Sequence, residues 1–270
     1  MLSLLAAVLH RWPRFRPAAA MAHRLGRRSH GERVGRLRTG GRIVLDLSDH
    51  AQRHTYLYGV VEEHTTRFVR ATVGAGDVVL DVGANSGYYS ILCSDLGATV
   101  VAFEPQHELA AAIRRSAALN GRSIDVHEVA CGARAGEATL FESSDPYYGG
   151  MATLVADYYT IGRPAYTVPV ITLDEFCGGR AIAPTLVKID VEGFEADVVE
   201  GMSEMMRVAQ PLVVCEVAFD RPHAARVLEL VRAAGYETNL IGPRGLEPLG
   251  DDARVENVAF VPPGYARTSR

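Results

Sequence analysis

The chain has 270 residues, 48% of them hydrophobic, with a formal net charge of −4. That suits one large domain, or a domain with a small appendage, and excludes a disordered or fibrous chain. No apolar run approaches the roughly 18 residues of a membrane span. The first such run, residues 2–9, lacks a preceding positive region and a small-residue cleavage site, so no secretory signal is expected.

Residues 1–42 hold ten Arg, no Lys and one acid, Glu32, a net of +9 that leaves −13 for the rest. This predicts a basic N-terminal arm, disordered or loosely helical, with peripheral membrane contact or partner binding as the alternative. Residues 43–270 are expected to form the folded domain. Residues 42–47 alternate like a short strand, and residues 56–73 recur at helical spacing until Gly74-Ala75-Gly76-Asp77 breaks them. Strands and helices then alternate. Residues 78–82 are a continuous apolar strand of the kind buried on both faces, residues 88–96 a helix stopped by Gly97, residues 99–103 a strand, residues 107–120 a helix and residues 124–129 a strand. Residues 137–141 and 167–173 read as strands around a loop-rich insert at about 143–166. The insert holds Tyr147, Tyr148, Tyr158, Tyr159 and Tyr166, flat faces with one hydroxyl each, which suit a lid over sugar rings or polycyclic substrates. Residues 186–190 form a strand, 194–206 a helix, 212–217 a strand and 222–234 a helix, and residues 238–241 and 257–261 close the sheet. Four scattered cysteines, Cys93, Cys131, Cys177 and Cys215, have no metal-type spacing and read as free thiols in a reducing cytoplasm.

This alternation implies a mainly parallel sheet covered by helices on both faces. Ligands in such sheets bind beyond the C-terminal strand ends. Asp81, Glu104, Asp190 and Glu216 each fall at or near such an end. After the first buried strand comes Asp81-Val82-Gly83-Ala84-Asn85-Ser86-Gly87, and after the second comes Glu104-Pro105, the parts of an adenosine-cofactor site. A dinucleotide spacing from Gly83 would place glycines where Asn85 and Tyr88 stand. This disfavours an NAD(P)-dependent oxidoreductase. The G-x-G-x-G spacing gives Gly83, Asn85 and Gly87, and Asn tolerates left-handed angles. S-adenosylmethionine has no pyrophosphate to cradle, so it fits a turn of this kind. Candidate cofactor contacts are Asp81, Gly83, Ala84, Asn85, Gly87, Glu104 and Pro105. Glu104 is placed to accept from both ribose hydroxyls, and Asp81 from the ammonium or sugar end.

The second motif is Leu186-Val187-Lys188-Ile189-Asp190-Val191-Glu192-Gly193-Phe194-Glu195, three acids within six residues after a buried strand. Together with Asp81-Val82-Gly83-Ala84-Asn85-Ser86-Gly87-Tyr88-Tyr89, Phe103-Glu104-Pro105, the Asn120-Gly121 helix end and Thr172-Leu173-Asp174, it makes the chain resemble the FkbM family of S-adenosylmethionine-dependent methyltransferases. Weaker echoes are Tyr58-Gly59-Val60-Val61-Glu62, Gly149-Gly150-Met151-Ala152-Thr153-Leu154 and Glu256-Asn257-Val258. The resemblance covers roughly residues 40 to 262. It implies an α/β class I methyltransferase fold, Rossmann-like, with a seven-stranded mainly parallel sheet whose last strand is antiparallel. It also implies O-methylation of sugars, glycolipids or polyketide-type natural products.

Methyl transfer to an alcohol requires alignment of the nucleophile and a base or metal ion for its proton. Asp190, Glu192 and Glu216 converge if their strands are neighbours, with Asp190 as the base. The alternative is a divalent cation such as Mg²⁺ held by Asp190, Glu192 and Glu216. Lys188 reads as an ion-pair partner and Glu195 as a first-turn helix acid. Among His54, His64, His107 and His223, the last ranks first as an alternative base because it follows the Glu216 strand. The acceptor is expected to be a small molecule or glycan and not a nucleic acid, since the positive charge is confined to the arm. A non-catalytic binding module on the same fold is the other rival.

Overall fold

The structure is a computed structural model that describes residues 1–11, 17, 20, 21, 24, 29–143, 152–156, 162–250 and 254–265. It begins with helix α1 (Leu2–Arg11), a hairpin of β1 (Glu32–Arg36) and β2 (Arg42–Asp46), and helices α2 (His50–Tyr58) and α3 (Glu63–Thr72). The alternating core follows: β3 (Val78–Val82), α4 (Tyr88–Asp95), β4 (Thr99–Phe103), α5 (His107–Leu119) and β5 (Asp125–His127). A satellite sheet is built from β6 (Ala130–Cys131), β7 (Gly136–Ser143), β8 (Ala152–Thr153) and β9 (Gly162–Ile171). After α6 (Leu173–Gly178) come β10 (Leu186–Ile189), α7 (Glu195–Glu200), α8 (Ser203–Val208), β11 (Leu212–Ala218) and α9 (His223–Ala233), then β12 (Glu237–Gly242), β13 (Gly245–Pro248) and β14 (Val255–Val261).

The main sheet has the order β13-β12-β14-β11-β10-β3-β4-β5. β11, β10, β3, β4 and β5 pair in parallel, while β14 runs antiparallel to both β11 and β12. Side chains on successive strand residues point to opposite faces. Val79, Val100, Leu186 and Val214 accordingly join one core cluster with α1 to α4, and Leu80, Val101, Val187 and Val213 join the other with α6 to α9. This is why the strands read as unbroken apolar runs.

The sheet has eight strands where seven were expected. The extra one, β13, folds back on β12 through a two-residue turn at Pro243-Arg244, with Gly242 opposite Gly245. The helix expected over residues 56–73 is two helices. Gly59 ends α2 with its N–H on the Thr55 carbonyl, and α3 starts after Glu62. The helix expected over 194–206 also divides. A Cβ on Gly201 would stand 2.0 Å from the Gly132 carbonyl oxygen, so the satellite sheet's backbone passes where α7 ends.

The described part of residues 1–42 is folded onto the body, contrary to a disordered arm. Leu5, Ala6 and Leu9 of α1 are buried in the core cluster that also takes in Tyr56 and Leu57 of α2. The boundary placed at 42/43 cuts through the hairpin, where Glu32 faces Asp46 and Arg36 faces Arg42. The apolar stripe of α1 has the α2 surface to bury against, and burying such side chains stabilises by roughly 1.5–3 kcal/mol each. The composition of residues 1–42, dominated by Arg, conceals that stripe.

In the satellite sheet β7 pairs antiparallel with β9 around Ala130, Leu140, Val168 and Val170. Of the Tyr-rich insert, Tyr147, Tyr148, Tyr158 and Tyr159 lie outside the described residues, and Tyr166 sits on β9 opposite Leu140. All four cysteines are buried and free. No helix among the described residues is long and apolar enough to cross a membrane.

Candidate active site

β3 delivers the chain into the first turn at the C-terminal edge of the sheet. Gly83, Asn85 and Gly87 all take left-handed angles, with φ of 74°, 50° and 84°. Glycine is required at 83 for a second reason that only the tertiary structure shows. A Cβ there would stand 1.9 Å from the carbonyl oxygen of Asp190. The turn therefore packs directly on the end of β10, and the two sequence motifs touch through backbone.

The turn is tied to β4 as well. The N–H groups of Gly83 and Ala84 both donate to the Phe103 carbonyl, at 3.0 and 3.1 Å. Glu104 then joins the two loops: one carboxylate oxygen accepts the Asn85 N–H at 2.8 Å and the other the Gln106 N–H at 2.9 Å. Burial raises the Glu104 carboxyl to about 7 against these two amides and a further hydrogen bond from the Gln106 side chain. Asp81 is also buried, and the Ser90 hydroxyl donates to it at 2.5 Å. Burial again raises its pKa. Asp81 thus fastens α4 to β3 and lines the cavity floor.

The acids gather on the other side. β10 and β11 are parallel neighbours with Ile189 opposite Cys215, so Asp190, just past β10, stands at the same level as Glu216 within β11. The charge of Asp190 is the main cause holding the Glu216 carboxyl well above its ordinary range. Burial adds to it, and a hydrogen bond joins the two carboxyls. Two adjacent carboxylates resist ionising together, which is why the Glu216 carboxyl is the one pushed up. Lys188, 1% exposed, places its ammonium 3.2 Å from Asp190 and 5.3 Å from the centroid of the Tyr89 ring. Burial would lower the pKa of this lysine, but Asp190, Glu62, Glu216 and Asp81 outweigh burial and raise it. It is a fixed positive charge.

The carboxylate that groups most tightly with this pair is Glu62. One oxygen each of Glu62, Asp190 and Glu216 lies within 4.8 Å of the others. Glu62 precedes α3 with φ 44°, a costly angle for this residue type, and accepts the Tyr89 hydroxyl at 2.6 Å. Its only sequence signal is the weak Tyr58-Gly59-Val60-Val61-Glu62 echo. Glu192 stands outside this trio but lines the cavity with Asp190 and Glu216, and its charge adds to the raised Glu216 carboxyl.

His223 is not on the cavity wall. Its Nε2 lies 3.3 Å from a buried oxygen of Glu195, because the first turn of α9 packs on the first turn of α7. Burial lowers the pKa of His223 and raises that of Glu195 to about 7. His54 packs its ring against Tyr58, His64 contacts Arg67, and His107 pairs with Glu128, so none of these replaces it.

Between the turn and the acids lies a cavity of about 240 Å³. Sequence reasoning did not place Gln52 and Thr55 of α2 on its wall, nor Ala152, Thr153 and Leu154 around β8. Pro105, Tyr88 and Phe194 supply apolar surface. The arrangement can hold a polar ligand by the Glu104 oxygens and offer a carboxylate pair to a second molecule's proton.

Among solved structures, the chain is similar to the methyltransferase FkbM from Methylobacillus flagellatus KT, with a TM-score of 0.45 and 18% identity over 68% of this chain and 43% of that one. It is also similar to a TehB-like SAM-dependent methyltransferase from Corynebacterium glutamicum ATCC 13032, with a TM-score of 0.48 and 12% identity over 78% of this chain and 93% of that one. A ribosomal protein L11 methylase from Lactobacillus delbrueckii subsp. bulgaricus gives 0.42 and 16%, over 73% and 74%. The chain spans less than half the length of the first of these. No curated protein matches it. Residues 81–238, which carry the Gly83 turn, Glu104 and the Lys188 to Glu195 motif, match the family described as Methyltransferase FkbM domain. With more than half its length inside that match, the chain belongs to the FkbM methyltransferase family.

Proposed function

We propose that the chain is an S-adenosylmethionine-dependent O-methyltransferase acting on a hydroxyl of a sugar, glycolipid or polyketide-type natural product. The observation that carries this reading is the Asp190–Glu216 carboxyl pair set against the cofactor-type turn, with the Asp190 backbone packed on Gly83. The residues of the turn fit the cofactor. Both Glu104 oxygens are fixed by backbone amides at the cavity wall, where a carboxylate can accept ribose hydroxyls, and the small residues at 83 and 84 let the ligand approach the main chain. When bound, S-adenosylmethionine supplies an activated methyl group on a sulfonium whose leaving group is neutral.

The chain's own residues then have the acceptor to manage. Asp190 takes the proton of the acceptor hydroxyl as general base. Glu216 already carries the proton of the pair, so its hydrogen bond orients Asp190 without competing for the new one. Lys188 holds Asp190 from the other side. Glu62 and Tyr89 close the edge. A divalent cation would have to enter this trio against the Lys188 ammonium, so the base reading is favoured over the metal reading. The buried free cysteines favour a reducing, cytoplasmic compartment.

Transfer of radiolabelled methyl from S-adenosylmethionine across a panel of alkyl glycosides and macrolide alcohols tests the activity. Calorimetry with S-adenosylhomocysteine and with NAD⁺ tests the cofactor. Tighter binding of NAD⁺, or label appearing only on nitrogen, would reject the proposal.

A further inference from the structure

The loop that carries Asp190 is held in an expensive shape. Glu192 has φ 52° and Gly193 φ 98°. A non-glycine residue in that region costs on the order of 1–3 kcal/mol and persists only where its surroundings hold it. Among the described contacts, three stand out. The Asp190 N–H donates to the Val82 carbonyl at 3.0 Å, which continues the sheet. The Gly193 N–H donates to the Glu195 carboxylate at 2.8 Å. The third contact comes from far along the chain: the Thr153 hydroxyl donates to the Glu192 carbonyl at 2.6 Å.

Thr153 is the last residue of β8 and is 2% exposed. Its oxygen also accepts the Val155 N–H at 3.1 Å, so one hydroxyl serves both as donor and acceptor. Its neighbours Ala152 and Leu154 line the cavity, and so does Glu192. Thr153 therefore joins the cavity wall of the satellite sheet to the loop that places Asp190. The other two fastenings belong to the main sheet and to the loop itself.

We infer that Thr153 is a positioning residue: through the Glu192 carbonyl it fixes the 190–193 loop, and with it Asp190, when the satellite sheet is seated on the cavity. The kinetic part of this inference rests on the methyl-transfer reading, whereas its structural part does not. A hydroxyl is required at 153 and the methyl group is not.

Thr153→Val removes donor and acceptor while keeping shape, and Thr153→Ser keeps both. Hydrogen-exchange mass spectrometry of the full chain should show faster exchange in residues 188–195 of Thr153→Val and unchanged exchange in residues 81–89. Thr153→Ser should match the wild type in both. Calorimetry with S-adenosylhomocysteine should give affinities within about twofold for all three proteins. On an alkyl glycoside that the wild type methylates, kcat should fall about 10- to 100-fold in Thr153→Val, since a misplaced catalytic group costs that order, and recover in Thr153→Ser. Unchanged exchange at 188–195 in Thr153→Val overturns the inference. So does parallel loss of S-adenosylhomocysteine affinity, which marks a general structural role. Should Thr153→Val fail to fold, loss of kcat in Thr153→Ser would overturn it equally, because the serine preserves the hydrogen bonds. Absence of methylation on every alcohol tested, with the exchange pattern as expected, rejects the O-methyl reading and leaves the positioning role standing.

Discussion

The two halves of the cavity are built in opposite ways. The half proposed to hold the cofactor is local: residues 81–87 and 104–106 satisfy one another's backbone through the Phe103 carbonyl and the two Glu104 oxygens. The acid half is assembled from afar, with Glu62 ahead of α3, Asp190 after β10, Glu216 in β11 and Lys188 buried among them. Local construction suits a site that must fit an invariant ligand. Distant construction lets the acceptor side depend on how several elements pack, and it concentrates charge that a single loop could not hold. The halves meet most closely where the turn packs on the end of β10, at the Gly83 contact with the Asp190 carbonyl.

Breaking that point should have the largest effect. Gly83→Ala forces a Cβ into the Asp190 carbonyl at a left-handed angle, and a loss of about 3 kcal/mol or more in urea denaturation is expected, with no S-adenosylhomocysteine binding by calorimetry. A variant of normal stability and affinity would show that the halves are independent. Next in size, Asp190→Asn should lower kcat about 10²- to 10⁴-fold while cofactor affinity stays within about threefold. Unchanged turnover would remove Asp190 as the base. Glu104→Gln tests the other half, since the amide has one acceptor where the carboxylate has two. Cofactor affinity should fall roughly 10- to 100-fold, about 1.4–3 kcal/mol, with kcat at saturation little altered.

A smaller effect lies in pH dependence. Burial raises the Glu104 and Glu195 carboxyls from 4.5 to about 7, so the folded chain keeps protons that the unfolded chain releases. Their contribution to stability is fully present below about pH 4.5, declines as pH rises to about 7, and is level above that. Glu104→Gln should flatten the decline by about 1.4 kcal/mol per pH unit at most across that window. A wild-type curve that rises through the window from these groups would contradict the assignment. The smallest expected effect is that of exhaustive chelation: methyl transfer should be unchanged, because the Lys188 ammonium already faces Asp190. Loss of activity restored by Mg²⁺ would reinstate a cation at Glu62, Asp190 and Glu216.

What could be read from the residues follows the same division. The parallel strands were legible because burial on both faces leaves an unbroken apolar run, as in Val78-Val79-Leu80 and Leu186-Val187. The turn was legible because left-handed angles restrict which residues can occupy 83, 85 and 87. Glu62 was not, because nothing in its neighbourhood says that the α2–α3 corner folds over the strand ends. The placement of His223 on Glu195 depends on how α9 crosses α7, and the folding of α1 on α2 depends on contacts such as Ser3 with Tyr56, 53 residues apart in the chain.

The sequence by itself determined the sheet's parallel core, the Gly83 to Gly87 turn with Glu104 beside it, and the acids Asp190 and Glu216 at one edge of the sheet, because period, backbone angle and charge act within a few residues. Only the tertiary structure decided the eighth strand, the joining of Glu62 to Asp190 and Glu216, the folding of α1 and the β1–β2 hairpin onto the body, and the Thr153 contact. Each of these is settled by which surfaces meet across the fold, and a run of neighbouring residues carries no record of that.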